Sequence, residues 1–217
     1  MAEINLLDRL PETNRDPKSR AASKTPEDRI IAKRFDKEFF DGERRHGYGG
    51  YRYDGRWLPV ARRIVEHYQL PSNAAILDVG CAKGFLMHDF LQVLPDATVR
   101  GIDVSEYAKL HAHAGMEKFI DIGSAEHLPY ADKSFDLVIS INSIHNLALE
   151  PCKQALREME RVSRAHKFIS VDAWHTEEER ERLLNWILTA ETYLHVTDWN
   201  KLFEEVGYTG DAWWFIP

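Results

Sequence analysis

At 217 residues, with 44% apolar and 29% charged side chains, the chain has material for one domain with a substantial core and an ordinary solvated surface. Acidic residues outnumber basic ones 35 to 28, a formal charge of −7, which argues mildly against a broad phosphate-gripping face but leaves room for a local basic groove. No apolar run approaches the ~18 residues of a membrane helix. The amino terminus lacks a signal peptide's apolar centre, and Cys81 and Cys152 make no disulfide framework, so a soluble cytoplasmic protein without membrane contact is expected.

Residues 11–28 hold three prolines among many charges and read as a loosely attached arm. Ile30, Ile31, Phe35 and Phe39 recur at helical spacing and predict a helix over 28–40. Residues 41–57 contain five glycines and four aromatics, too much glycine for a helix and too many rings for a plain linker. Helix resumes over 59–68. From Ala75 the pattern alternates. AAILDV is a first strand, with a helix over 85–94. TVRGIDV is a second strand, with a helix over 105–113. Residues 116–120 form a weaker third strand, and SFDLVISI a strong fourth. A helix over 151–162, the strand KFISVDA, and helices over 177–188 and 199–206 complete the series, the last capped by Gly207. YTGDAWWFIP reads as a final strand or edge segment, with Trp213 and Trp214 on opposite faces. Strands and helices alternating at this spacing specify an α/β protein: a Rossmann-like, mostly parallel sheet with helices on both faces. The division expected is an arm, helix and lid over 1–57 and a catalytic domain over 58–217.

LDVGCAKG, residues 77–84, is the most informative stretch. It sets Gly80, Ala82 and Gly84 directly after a strand and before a helix, where small residues let backbone approach a ligand. The spacing is neither that of a phosphate-cradling P-loop nor that of a dinucleotide GxGxxG turn. Asp103 ends the second strand, 19 residues after Gly84, where a carboxylate can accept both ribose hydroxyls of a nucleoside or cap the next helix.

Taken together, LDVGCAKG, GIDVS (101–105) and GSAEHLPYADKSFDLVIS (123–140) resemble the class I S-adenosylmethionine-dependent methyltransferase family over roughly residues 58–210. The resemblance implies S-adenosyl-L-methionine as cofactor. Asp78 would support the glycine turn, Gly80 border the methionine end, Asp103 hold the ribose and Val104 lie against adenine. Ser124, Ala125 and Glu126 would flank the adenine edge. Relatives often carry aspartate where this chain has Ser124, and glycine where it has Ala82. The resembled fold ends in two closing strands, of which one is legible here, so either the edge is truncated, which would favour a homodimer across it, or residues 190–197 hold a strand the pattern does not reveal.

After the fourth strand, INSIHNL brings polar groups to the carboxyl ends of the strands, where ligands of open α/β sheets bind. Asn142 would border the cofactor. His145, with an ordinary pKa of about 6.5, suits a general base. Asp172 and His175 end the fifth strand and could orient that histidine or share its role. They could also join it as mixed ligands of a divalent metal, but no tight ligand motif is present and no metal is assigned. Tyr48, Tyr51 and Trp57 offer apolar walls, Arg52 and Arg56 offer anion grips, and the intervening glycines suit a lid. These features point to methyl transfer to an anionic or zwitterionic small molecule, with nucleic acid disfavoured by the acidic balance. RNA or protein methylation, a nucleotide-dependent oxidoreductase and a non-catalytic cofactor binder stay open.

Overall fold

The computed structural model describes residues 2–11 and 16–217. Three short helices lead in: α1 (Pro17–Ala22), α2 (Pro26–Ala32) and α3 (Lys37–Asp41). They are followed by α4 (Leu58–Tyr68), β1 (Ala75–Val79), α5 (Phe85–Val93), β2 (Thr98–Asp103), α6 (Glu106–Leu110) and β3 (Ile120–Ile122). The chain continues through β4 (Phe135–Ile141), α7 (Leu149–Val162), β5 (Ser163–Trp174), α8 (Glu177–Trp186), β6 (Leu194–His195), α9 (Val196–Val206) and β7 (Asp211–Phe215).

The strands lie in the order β3-β2-β1-β4-β5, and every named ladder is parallel. β5 is long enough to take two neighbours on its far side: β7 along Phe168–Asp172, then β6 at Ala173 and Trp174. The near-continuous apolar runs of β1 and β4 follow from this position, since both faces of the sheet are covered. On one face, Cys152, Ala155, Leu156 and Met159 of α7 pack with Trp199 and Phe203 of α9. On the other, Val60 and Ile64 of α4 pack with Met87 and Phe90 of α5. The helical stripe of α7, at steps of three and four residues, is what makes one side of that helix a core face.

The amino-terminal third departs most from expectation. The single helix expected over 28–40 is two. The first starts earlier, at Pro26, on a capping box between Thr25 and Asp28. It ends before Phe35, whose φ of 49° is left-handed, and Asp36 then caps α3. The segment read as an arm contains α1, which packs on α8: Arg20 Nε donates to the Trp186 carbonyl at 2.9 Å, and Lys24 Nζ to those of Asn185 (2.7 Å) and Ile187 (2.6 Å). Residues 12–15 of that arm lie outside the described residues. Ahead of it, Leu6 is fully buried in the second core layer, and Ala2 and Ile4 exchange backbone hydrogen bonds with Ala212. The far side of β7 therefore carries a piece of the amino terminus. The third strand begins at Ile120, after a 3-10 turn over 117–119, and the unforeseen β6 has only two residues, too few for any alternation to show.

Candidate active site

The turn after β1 is shaped by contact. Gly80 has φ 82°, and a Cβ there would lie 1.8 Å from Ser143 Oγ. Ala82 is itself left-handed, and its N–H donates to Asp103 Oδ2 at 2.8 Å. Asp103 Oδ1 takes a second backbone bond, from Ser105 at 2.9 Å. Ser105, not Asp103, is the side-chain cap of α6, accepting from the Ala108 N–H. Two donors thus lock the Asp103 carboxylate at the rim of the sheet, while burial keeps it above the usual carboxylate range. Asp78, 5% exposed, accepts no side-chain hydrogen bond among the described residues. Burial first, then the neighbouring Asp103, push its carboxyl up to about 7.

Two adjoining cavities open here and share Tyr48, Gly80, Ala82, Ile141 and Asn142 as walls. The first cavity, about 310 Å³, runs from Asp103, Val104, Ser124 and Ala125, past Asn142 and His145, to Trp186 and Phe215. Val104 is 52% exposed, an apolar wall in want of a neighbour. Ser124 Oγ donates to Glu126 Oε2 at 2.8 Å, so Glu126 shapes this end without lining it. The second cavity, about 380 Å³, is lined by Asp78, Tyr51, Arg52, Arg56 and Trp57. Gly84 lines neither; its φ of 73° starts α5.

His145, in a 3-10 turn after β4, and Asp172, near the end of β5, meet in the buried middle of the first cavity. The Asp172 backbone N–H donates to His145 Nδ1 at 3.1 Å, and His145 Nε2 lies 3.8 Å from Asp172 Oδ2. A ring nitrogen that accepts cannot carry the proton, so the neutral imidazole holds it on Nε2. Burial lowers His145 and raises Asp172, and each partially offsets that shift in the other. His175 does not join them. It is exposed outside the cavity, its Nδ1 3.3 Å from Glu179 Oε2, because its position just before α8 turns it toward that helix's first turn. The expected three-residue cluster is therefore a pair, and the mixed metal set loses its third ligand.

Residues 77–171 match the family described as "Methyltransferase domain". Over that stretch the chain carries a methyltransferase domain, and its fold is that of the class I S-adenosylmethionine-dependent methyltransferases. It is 30% identical over 178 residues to the tRNA (carboxymethyluridine(34)-5-O)-methyltransferase of Arabidopsis thaliana, covering 81% of this chain and 40% of that protein. It is 30% identical over 154 residues to the demethylmenaquinone methyltransferase of Symbiobacterium thermophilum, covering 67% of this chain and 60% of that one. The chain thus spans less than two thirds of either relative. The YcgJ protein of Bacillus subtilis superposes with a TM-score of 0.54 at 18% identity, over 67% of this chain and 66% of that one, a likeness of fold.

On this methyltransferase core the segment between α3 and α4 is folded down and tied. Lys83 Nζ, from the glycine turn itself, donates to Asp41 Oδ2 at 2.6 Å and to the Tyr51 carbonyl at 3.0 Å. Tyr107 donates to the same Asp41 oxygen at 2.8 Å, and the Tyr51 N–H to the other at 3.1 Å. Burial works to raise Asp41, and these bonds outweigh it, leaving the carboxyl below its usual range. Tyr51 stacks on Phe85 with ring centres 4.6 Å apart, Tyr48 leans on Tyr51 at 4.3 Å, and Tyr53 donates to Asp89 at 2.6 Å. Arg56 is held by Asp54 through both carboxylate oxygens, which spends the grip expected of it. Sequence reasoning passed over Asp41, Lys83, Arg20 and Arg44. The lysine inside LDVGCAKG was a usable signal for the tie; the others carry no local motif.

Proposed function

We propose that this chain transfers the methyl group of S-adenosyl-L-methionine to a small-molecule acceptor bound in the lid-roofed cavity. The observation that carries this reading is the continuity of one cavity from the Asp103 rim to an aromatic far chamber, beside a segment tied to the glycine turn. Its volume, about 310 Å³, suits a small ligand more than a macromolecule.

The residues fit the cofactor chemically. Asp103, already held by two backbone donors, keeps acceptor capacity for ribose hydroxyls. Val104, Ala125 and Ser124 supply an apolar wall and a polar edge for adenine. Asp78 is a buried carboxylate without a hydrogen-bonding side chain or N–H on it, a match for the cofactor's amino group. When bound, the cofactor supplies an activated methyl on a positive sulfur; the chain has to align the acceptor, exclude water and take one proton. Within this reading Asp172 takes that proton, because burial makes it more basic. His145 positions it: its Nδ1 is engaged by the Asp172 N–H and its Nε2–H faces the carboxylate. His175 has no part. Arg52 and Trp57 belong to the wall of the second cavity, and Tyr48 and Tyr51 to the roof.

The test is methyl-labelled cofactor supplied with a cellular extract, separated into small molecules, RNA and protein. Enzyme-dependent label in the small-molecule fraction is expected. Label confined to RNA, the acceptor class in the name of the Arabidopsis relative, would overturn the small-molecule reading. Binding of NADH without S-adenosylhomocysteine would overturn the transferase reading as a whole.

A further inference from the structure

We propose that the far chamber grips the acceptor by an oxyanion, a carboxylate or phosphate, held between the guanidinium groups of Arg20 and Arg44 beside Trp186. This deepens the methyltransferase reading above and rests on it. Arg20 comes from α1 and Arg44 from the segment after α3, two elements joined only by packing, and both line the same cavity. The Arg20 guanidinium carbon lies 4.8 Å from the Trp186 ring centre and that of Arg44 5.9 Å.

Both line the cavity with no ion-pair partner among the described residues. Arg56, Arg161 and Arg164 each meet a carboxylate at 2.7 Å or closer. No carboxylate among the described residues lies within ion-pair distance of Arg20 or Arg44. Their protein hydrogen bonds go to carbonyls, Arg20 to Trp186 and Arg44 to Gly47, which leaves other N–H donors of each fork unspent. Burial first, then Arg44, lower Arg20 to about 10; burial also lowers Arg44. Behind them Lys24 is lowered to about 8 by burial and then by Arg29 and Arg20.

Two guanidinium groups beside one ring repel each other, and an anion between them would offset that repulsion. Paired guanidinium forks match planar carboxylate and tetrahedral phosphate oxygens alike. Phe35, Phe39 and Leu188 line the same chamber, so the remainder of the acceptor is apolar or aromatic. Because Arg44 belongs to the segment after α3 and Arg20 to α1, such an anion would also tie that segment to α1.

The experiment is calorimetric titration of the full chain saturated with S-adenosylhomocysteine, using benzoate, phenyl phosphate and neutral benzamide as probes. At least one anion is expected to bind about tenfold more tightly than benzamide, and the stronger of the two identifies the headgroup. Arg20→Gln and Arg44→Gln should each lose that preference while binding S-adenosylhomocysteine as the parent does; Arg20→Lys should keep part of it. Equal binding of the three probes by the parent chain, which needs no variant to fold, would overturn the proposal. So would anion binding undiminished in both glutamine variants. Failure of the parent to bind S-adenosylhomocysteine would instead sink the transferase reading, and this inference with it.

Discussion

Lys83 Nζ sits 2.6 Å from Asp41 Oδ2, joining the glycine turn of the cofactor site to the start of the roof over it. Only 7% of the lysine side chain is exposed. The pair is therefore worth more than a surface ion pair, and breaking it strands a charge in a half-dry place. The residue that shapes the turn also anchors the segment after α3, so under the proposed function the cofactor and acceptor sites are linked.

Replacing Lys83 by Met should loosen that segment more than it harms the sheet. The expected loss is about 3 kcal/mol of stability, the scale for removing one partner of a buried pair. Hydrogen exchange over residues 41–53 should accelerate while β1 and β4 stay protected. Exchange in 41–53 matching the parent's would show that aromatic packing alone holds the roof.

Asp78 should make both stability and cofactor binding depend on pH. Its folded pKa is about 7, raised from an ordinary 3.8, so the folded protein keeps a proton that the unfolded chain has already lost. That contribution to stability is fully present below the unfolded value and is lost as pH rises through about 7. The chain without cofactor should therefore melt at falling temperatures between pH 5 and 8, whereas S-adenosylhomocysteine affinity should rise over the same span as the carboxylate ionises. Asp78→Asn should flatten both profiles. An unchanged slope in that variant would assign the effect elsewhere, Asp103 being the neighbour to examine next.

At the centre of the cavity, Asp172→Asn should cut turnover by about a hundredfold with S-adenosylhomocysteine affinity intact, the loss usual for a positioned proton acceptor. His145→Ala should act more mildly and shift the acid limb of the kcat profile, since it changes the surroundings of Asp172 rather than the group that titrates. Because Asp172 is raised by burial, that limb should lie above the usual carboxylate range. His175→Ala should leave kcat and KM alone. A larger loss in His145→Ala than in Asp172→Asn would return the proton to the histidine.

Much of this molecule could be read without coordinates. The apolar runs at 75–79 and 135–141, and the small residues at Gly80 and Gly84, are local records of a buried parallel strand followed by a tight turn into a helix. The place of Asp103 was legible for a similar reason: ending a strand beside that turn is a matter of spacing. Other features depend on groups far apart in the chain. Nothing near Arg20 announces that it will meet a ring at position 186, and nothing near Asp41 names Lys83 as its partner. His175 and Asp172 are three residues apart, yet one faces solvent and the other the cavity, because β5 ends between them and α8 begins. Leu6 became core because an amino-terminal segment found β7, and Phe35 broke a helix whose apolar spacing was otherwise regular. The pattern of sheet, turn and strand-end carboxylate was determined by the sequence through short-range periodicity and turn chemistry. The roof, the proton pair and the charged chamber were decided by tertiary packing, which alone sets which distant side chains share a low-dielectric space.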